Sequence, residues 1–130
     1  MNWKLVRFKK ENGLVRGHLF LDGKLVSDTY ERYPLVEEGK HRMYMVTRAG
    51  TSDTMMPAVL SVGKWRYISS LVFWRRGDML PISRTFCGDD ENAEVNPRIF
   101  EDIRETCRNA WNRDEHIYLE ISIRESMGPV

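Results

Sequence analysis

Asp22-Gly23 lies between two runs of alternating residues and commits this part of the chain to a β-hairpin. A type I′ turn needs positive φ at both central positions, and Asp-Gly adopts it with little strain. Before the turn, Val15, Gly17, Leu19 and Leu21 alternate with Arg16, His18 and Phe20, the period of a half-buried strand. Lys24 to Tyr30 reads as the returning strand.

The same period recurs along most of the chain. Trp3 to Phe8 reads as a short strand closed by the turn dipeptide Asn12-Gly13. In His41 to Thr47, Arg42, Tyr44 and Val46 alternate with His41, Met43 and Met45. Ala58 to Val62 is short and apolar, and Gly63-Lys64 turns it into Trp65 to Trp74, which reads as the longest strand. In that run Trp65, Tyr67, Ser69, Leu71 and Phe73 share one face, and Arg66, Ile68, Ser70, Val72 and Trp74 the other. Ile82 to Cys87 adds a further strand, and Gly88 to Glu94 reads as an acidic loop.

One stretch breaks the pattern. Asn96-Pro97 supplies an N-cap and a proline at the first helical position. Ile99, Phe100, Ile103, Cys107, Ala110 and Trp111 then recur at helical spacing, so Cys107 reads as a core residue. After a break at Asn112 to Glu115, Ile117, Leu119, Ile121 and Ile123 alternate with Tyr118, Glu120, Ser122 and Arg124. The sum is an α+β chain: one β-rich domain over 1–130, a mixed sheet or partial β-barrel with one amphipathic helix near residues 97–112 and a C-terminal strand.

Twenty basic residues balance 19 acidic ones, which argues against nucleic acid as the main partner. The opening MNWKLVRFKKENG has no apolar run of signal-peptide length, and no segment approaches the roughly 18 apolar residues of a membrane span. The expectation is a cytoplasmic chain with reduced thiols at Cys87 and Cys107. No spacing of cysteine, histidine or acidic residues suggests a metal, and no glycine-rich fingerprint suggests a cofactor.

Several weak motifs fall in a recognisable order: Gly17 and Leu19 before Asp22-Gly23, then Ser27-Asp28-Thr29-Tyr30-Glu31, then Leu35 to Met43 with Glu38-Gly39-Lys40, then Met56-Pro57 with Leu60 and Trp65. Phe73-Trp74-Arg75-Arg76-Gly77-Asp78 and Ser83-Arg84-Thr85-Phe86-Cys87-Gly88 follow. In this order the chain resembles the small phage- and prophage-associated bacterial proteins that look like L,D-transpeptidases, peptidoglycan cross-linking enzymes with a catalytic cysteine. The family's catalytic stretch runs I-H-x-G-N and then T-x-G-C. Here Trp74 stands in place of the histidine, Gly77-Asp78 matches Gly-Asn only with one residue inserted, and Cys87 falls one position late. A shift of one residue turns a strand side chain to the other face.

The resemblance implies a degenerate L,D-transpeptidase-like protein that binds a cell-wall fragment or a partner protein. It implies Cys87 as the one candidate nucleophile and Gly77 as a carried-over site residue. From the residues themselves, Trp74, Arg75 and Arg76 form an aromatic and basic patch suited to stacking and ion pairing. Two alternatives follow: an active cysteine enzyme whose base is one of His18, His41 or His116, and a nucleic-acid or protein-binding module working through Trp74 to Arg76.

Overall fold

The computed structural model describes residues 1–11, 13–47, 55–67, 72–74 and 97–124, the side chains of 11, 32, 72–74 and 97–99 excepted. Their elements are β1 (Asn2–Glu11), β2 (Leu14–Leu21), β3 (Lys24–Arg32), β4 (Gly39–Thr47), β5 (Met55–Ser61), β6 (Lys64–Tyr67), β7 (Val72–Trp74), α1 (Pro97–Asn112) and β8 (Ile117–Ile123). The strands form one curled mixed sheet in the order β6-β5-β4-β8-β1-β2-β3-β7. Neighbours are antiparallel except β1 and β8, which run parallel with Trp3 opposite Leu119 and Leu5 opposite Ile121.

The architecture is therefore two meanders, β1-β2-β3 and β4-β5-β6, joined by β8. The Asp22-Gly23 turn has the expected positive φ values, 47° and 88°. The second tight turn falls on Val62-Gly63, with φ 50° and 74°, one residue earlier than its dipeptide suggests.

Alternation sorts the faces as the sequence suggests. Val15, Gly17 and Leu19 turn inward on β2, and Trp3 and Leu5 do so on β1. The helix covers the half of the sheet made by β4, β5 and β8. Phe100, Ile103, Cys107 and Ala110 pack into one cluster with Met43, Met45, Val59, Ile117, Leu119 and Ile121. Burial of each large apolar side chain contributes roughly 1.5–3 kcal/mol. Cys107 is fully buried and free, in accord with its helical spacing. The helix ends in a Schellman motif: the Glu115 amide donates to the Ala110 carbonyl at 2.9 Å and the Asp114 amide to that of Trp111 at 3.0 Å. Asp114 takes the left-handed position, φ 58°.

The expected single strand from Trp65 to Trp74 is not formed. Its first part is β6, at one edge of the sheet, and its last part is β7, at the other, with six strands between them. The β5–β6 ladder runs from Ser61 opposite Lys64 to Ala58 opposite Tyr67. The next residue on β5 is Pro57, which has no backbone N–H to donate. Unbroken alternation in the sequence gives no sign that the two parts of this run lie at opposite edges. No helix among the described residues is long and apolar enough to cross a membrane.

Candidate functional site

Polar chemistry concentrates on the β1-β2-β3 meander, on both faces. On the inner face Arg7 of β1 pairs with Glu31 of β3 through two hydrogen bonds, Nε to Oε2 and Nη2 to Oε1, both 2.8 Å. Nη2 also donates to the Val36 carbonyl at 2.8 Å. Both side chains are buried. Strand β2 lies between them, and the residue directly opposite Arg7 is Gly17. Neighbouring strands stand about 4.8 Å apart, so a side chain reaching from β1 to β3 must pass over β2, and a residue without a side chain leaves it room. Thr29, opposite Gly17 on the other side, is fully buried, and its hydroxyl has no hydrogen-bond partner among the described residues.

On the outer face a β-bulge interrupts β1 between Arg7 and Lys9. Bulges bend a strand and re-aim a side chain. Here the bulged residue is Phe8, whose ring stacks on the His18 imidazole with centroids 4.4 Å apart and planes 16° apart. Phe20 meets the same imidazole edge-on at 6.3 Å. The Arg16 guanidinium lies 5.5 Å from the Phe8 centroid and 5.5 Å from that of Tyr30. The Arg124 guanidinium lies 5.6 Å from the Phe8 centroid.

His18 stands directly opposite Asp28 on β3, with Nδ1 2.6 Å from Oδ1. A carboxylate only accepts, so Nδ1 carries the hydrogen and donates, leaving Nε2 with a lone pair in the neutral ring. Nε2 has no hydrogen-bond partner among the described residues. A carboxylate that fixes one imidazole tautomer is the arrangement by which a histidine is held as a general base. Asp28 in turn stands opposite Trp74, the last residue of β7. His18, Asp28 and Trp74 thus occupy one row across three strands.

The other histidines sit elsewhere. His41 Nε2 lies 2.7 Å from the Glu37 carbonyl oxygen, and His116 Nδ1 lies 3.3 Å from the Tyr118 hydroxyl. The Ser61 hydroxyl donates to Glu37 at 2.6 Å and is the main reason that this carboxyl is held below its ordinary range. Burial pushes the Cys107 thiol up to about 12, against a weaker opposing pull from the Trp3 indole. That value leaves Cys107 protonated, as its core reading requires.

Of the residues expected to form a site, Trp74 is placed by its backbone register, while Arg75, Arg76, Gly77 and Cys87, with the expected strand Ile82 to Cys87, lie outside the described residues. Trp65 and Arg66 on β6 and Trp74 on β7 lie at opposite sheet edges. Trp65 is 42% exposed and meets Tyr44 edge-on at 5.8 Å. The His18–Asp28 pair was missed by the sequence reading. Among the described residues no cluster of histidine, cysteine, aspartate and glutamate is arranged to hold a metal ion.

No family model matches this chain, and no curated protein and no solved structure shows significant similarity to it.

Proposed function

We propose that this chain is a non-catalytic binding protein of L,D-transpeptidase-like type, which holds a cell-wall fragment or a partner protein at the outer face of the β2-β3-β7 rows. One observation carries the reading. Position 74, where the resemblance places a catalytic histidine, is a tryptophan at the end of β7, in register with an aspartate already bound to another imidazole. An aromatic residue type in that row, with no histidine at position 74, suits stacking on a sugar or peptide.

Equilibrium binding to soluble disaccharide-tetrapeptide fragments of peptidoglycan tests it. Saturable binding weakened by Trp74→Ala, with no turnover, is the expected result. Turnover that disappears in Cys87→Ala would sink the proposal.

The His18–Asp28 pair favours one alternative. His18, oriented by Asp28, would serve as the base for Cys87 in an active cysteine enzyme. In that case alkylation of Cys87 would proceed well below pH 8, and Asp28→Asn would slow it. A Cys87 thiol that stays silent until the chain is denatured excludes this alternative.

A further inference from the structure

We infer that the cleft between β4, the start of β8 and the C-terminal end of α1 binds a small zwitterion, an α-amino acid with an aliphatic side chain. The cleft exists because β8 pairs with β4 only as far as Ile117 opposite Met43, while β4 runs on to Thr47. The end of the helix fills part of the gap and leaves a half-open space of about 240 Å³. Such a volume falls below the roughly 300–1,000 Å³ of clefts that hold drug-sized ligands and suits a single residue.

Beside Glu115 and His116, its lining has three chemical parts. Met43 and Ile117, both buried, and the half-buried Trp111 supply an apolar floor. Arg42 supplies a guanidinium that lies 4.9 Å from the Tyr44 ring and makes no ion pair among the described residues. Asp114 supplies a carboxylate that likewise has no partner among them. Opposite charges line one cleft, and they do not pair with each other. The neighbouring carboxylate of Glu115 is already engaged, by Arg113 at 3.0 Å and by the Met1 amino group at 2.9 Å.

Asp114 stands at the left-handed position of the Schellman motif, φ 58°, where glycine is the unstrained residue. Backbone strain of this kind is a pointer to function when a free functional group comes with it. The ligand ammonium meets Asp114 and the electronegative helix C-terminus, its carboxylate meets the Arg42 fork, and its side chain lies on Met43, Ile117 and Trp111.

Calorimetric titration of the whole chain with L-leucine, L-valine and L-methionine tests this, with N-acetyl-leucine and leucinamide as analogues that each lack one charge. The expected result is saturable one-site binding of at least one amino acid, weakened at least about tenfold by Arg42→Gln and by Asp114→Gly, and lost in both leucine analogues. Asp114→Gly relaxes the backbone, so its melting temperature does not fall and its lost binding reads the carboxylate rather than the fold. Absence of binding by all three amino acids, equal binding by the two analogues, or unchanged binding in Asp114→Gly would each overturn the inference.

Discussion

Arg7 on β1 grips Glu31 on β3 in a bidentate pair that spans the intervening β2 at Gly17. The pair is buried, so each charge depends on the other for its solvation. Removing one partner leaves an uncompensated charge, and Arg7→Met also strands the Val36 carbonyl. Glu31→Gln and Arg7→Met are each expected to lower unfolding free energy by about 3–5 kcal/mol. The double variant Arg7→Met with Glu31→Leu should lose much less than the sum. Urea denaturation of the three proteins measures both quantities, and a fully additive double variant would show that the pair is not coupled.

Gly17, opposite Arg7, is fixed by close neighbours of its own. A Cβ there would meet Thr29 Oγ1 at 2.9 Å, the Val6 carbonyl oxygen at 3.0 Å and Leu5 Cδ1 at 3.2 Å. The Val6 contact is backbone and has little room to yield. Gly17→Ala is expected to cost about 1–3 kcal/mol, the range of overpacked sites. Thr29→Val deletes a buried hydroxyl without a partner and should be neutral or stabilising by up to about 2 kcal/mol. Thermal melts of the two single variants should shift in opposite directions or leave Thr29→Val unmoved.

Val62 holds a left-handed conformation, φ 50°, in the β5–β6 turn while 91% exposed. A β-branched side chain is poorly suited to that region, and burial returns nothing for it here. Val62→Asn should raise stability by about 1 kcal/mol, seen as a higher melting temperature with an unchanged far-ultraviolet spectrum.

The Cys107 thiol, ordinarily near 9.0, is pushed up to about 12 by burial. The folded chain holds this proton more tightly than the unfolded chain does. Its contribution to stability is therefore complete below about pH 9 and is lost as pH rises from there toward about 12. Replacing Cys107 by Ala should flatten that alkaline decline, although it also leaves a small cavity. In the native chain at pH 8, mass spectrometry after brief alkylation should find Cys107 unmodified.

Much of the sheet was readable from local pattern. Asp22-Gly23 marks its hairpin because turn chemistry is a property of adjacent residues, and Pro97 to Asn112 shows its apolar stripe within the segment itself. The His18–Asp28 pair was hidden by a register shift. Counting back from the turn pairs His18 with Ser27, but an irregularity between Leu19 and Phe20 moves the ladder by one residue and brings Asp28 opposite. The separation of β6 from β7 was hidden for a related reason. The two parts of Trp65 to Trp74 are set at opposite edges by their partners on β5 and β3, which no period within the run registers. The partner of β1 was equally out of reach, since nothing near Trp3 indicates pairing with Leu119.

That last pairing has a consequence for how the chain assembles. β8 follows both meanders along the chain, yet it lies between them and pairs with both β1 and β4. Until it arrives, the two halves have no common sheet, and β1 and β4 each present an open edge able to pair with a second chain. Contacts between residues so far apart in sequence form slowly. Synthesis of this protein should therefore pass through a vulnerable interval that lasts until Ile117–Ile123 closes the seam, and conditions that prolong it should favour aggregates over folded protein.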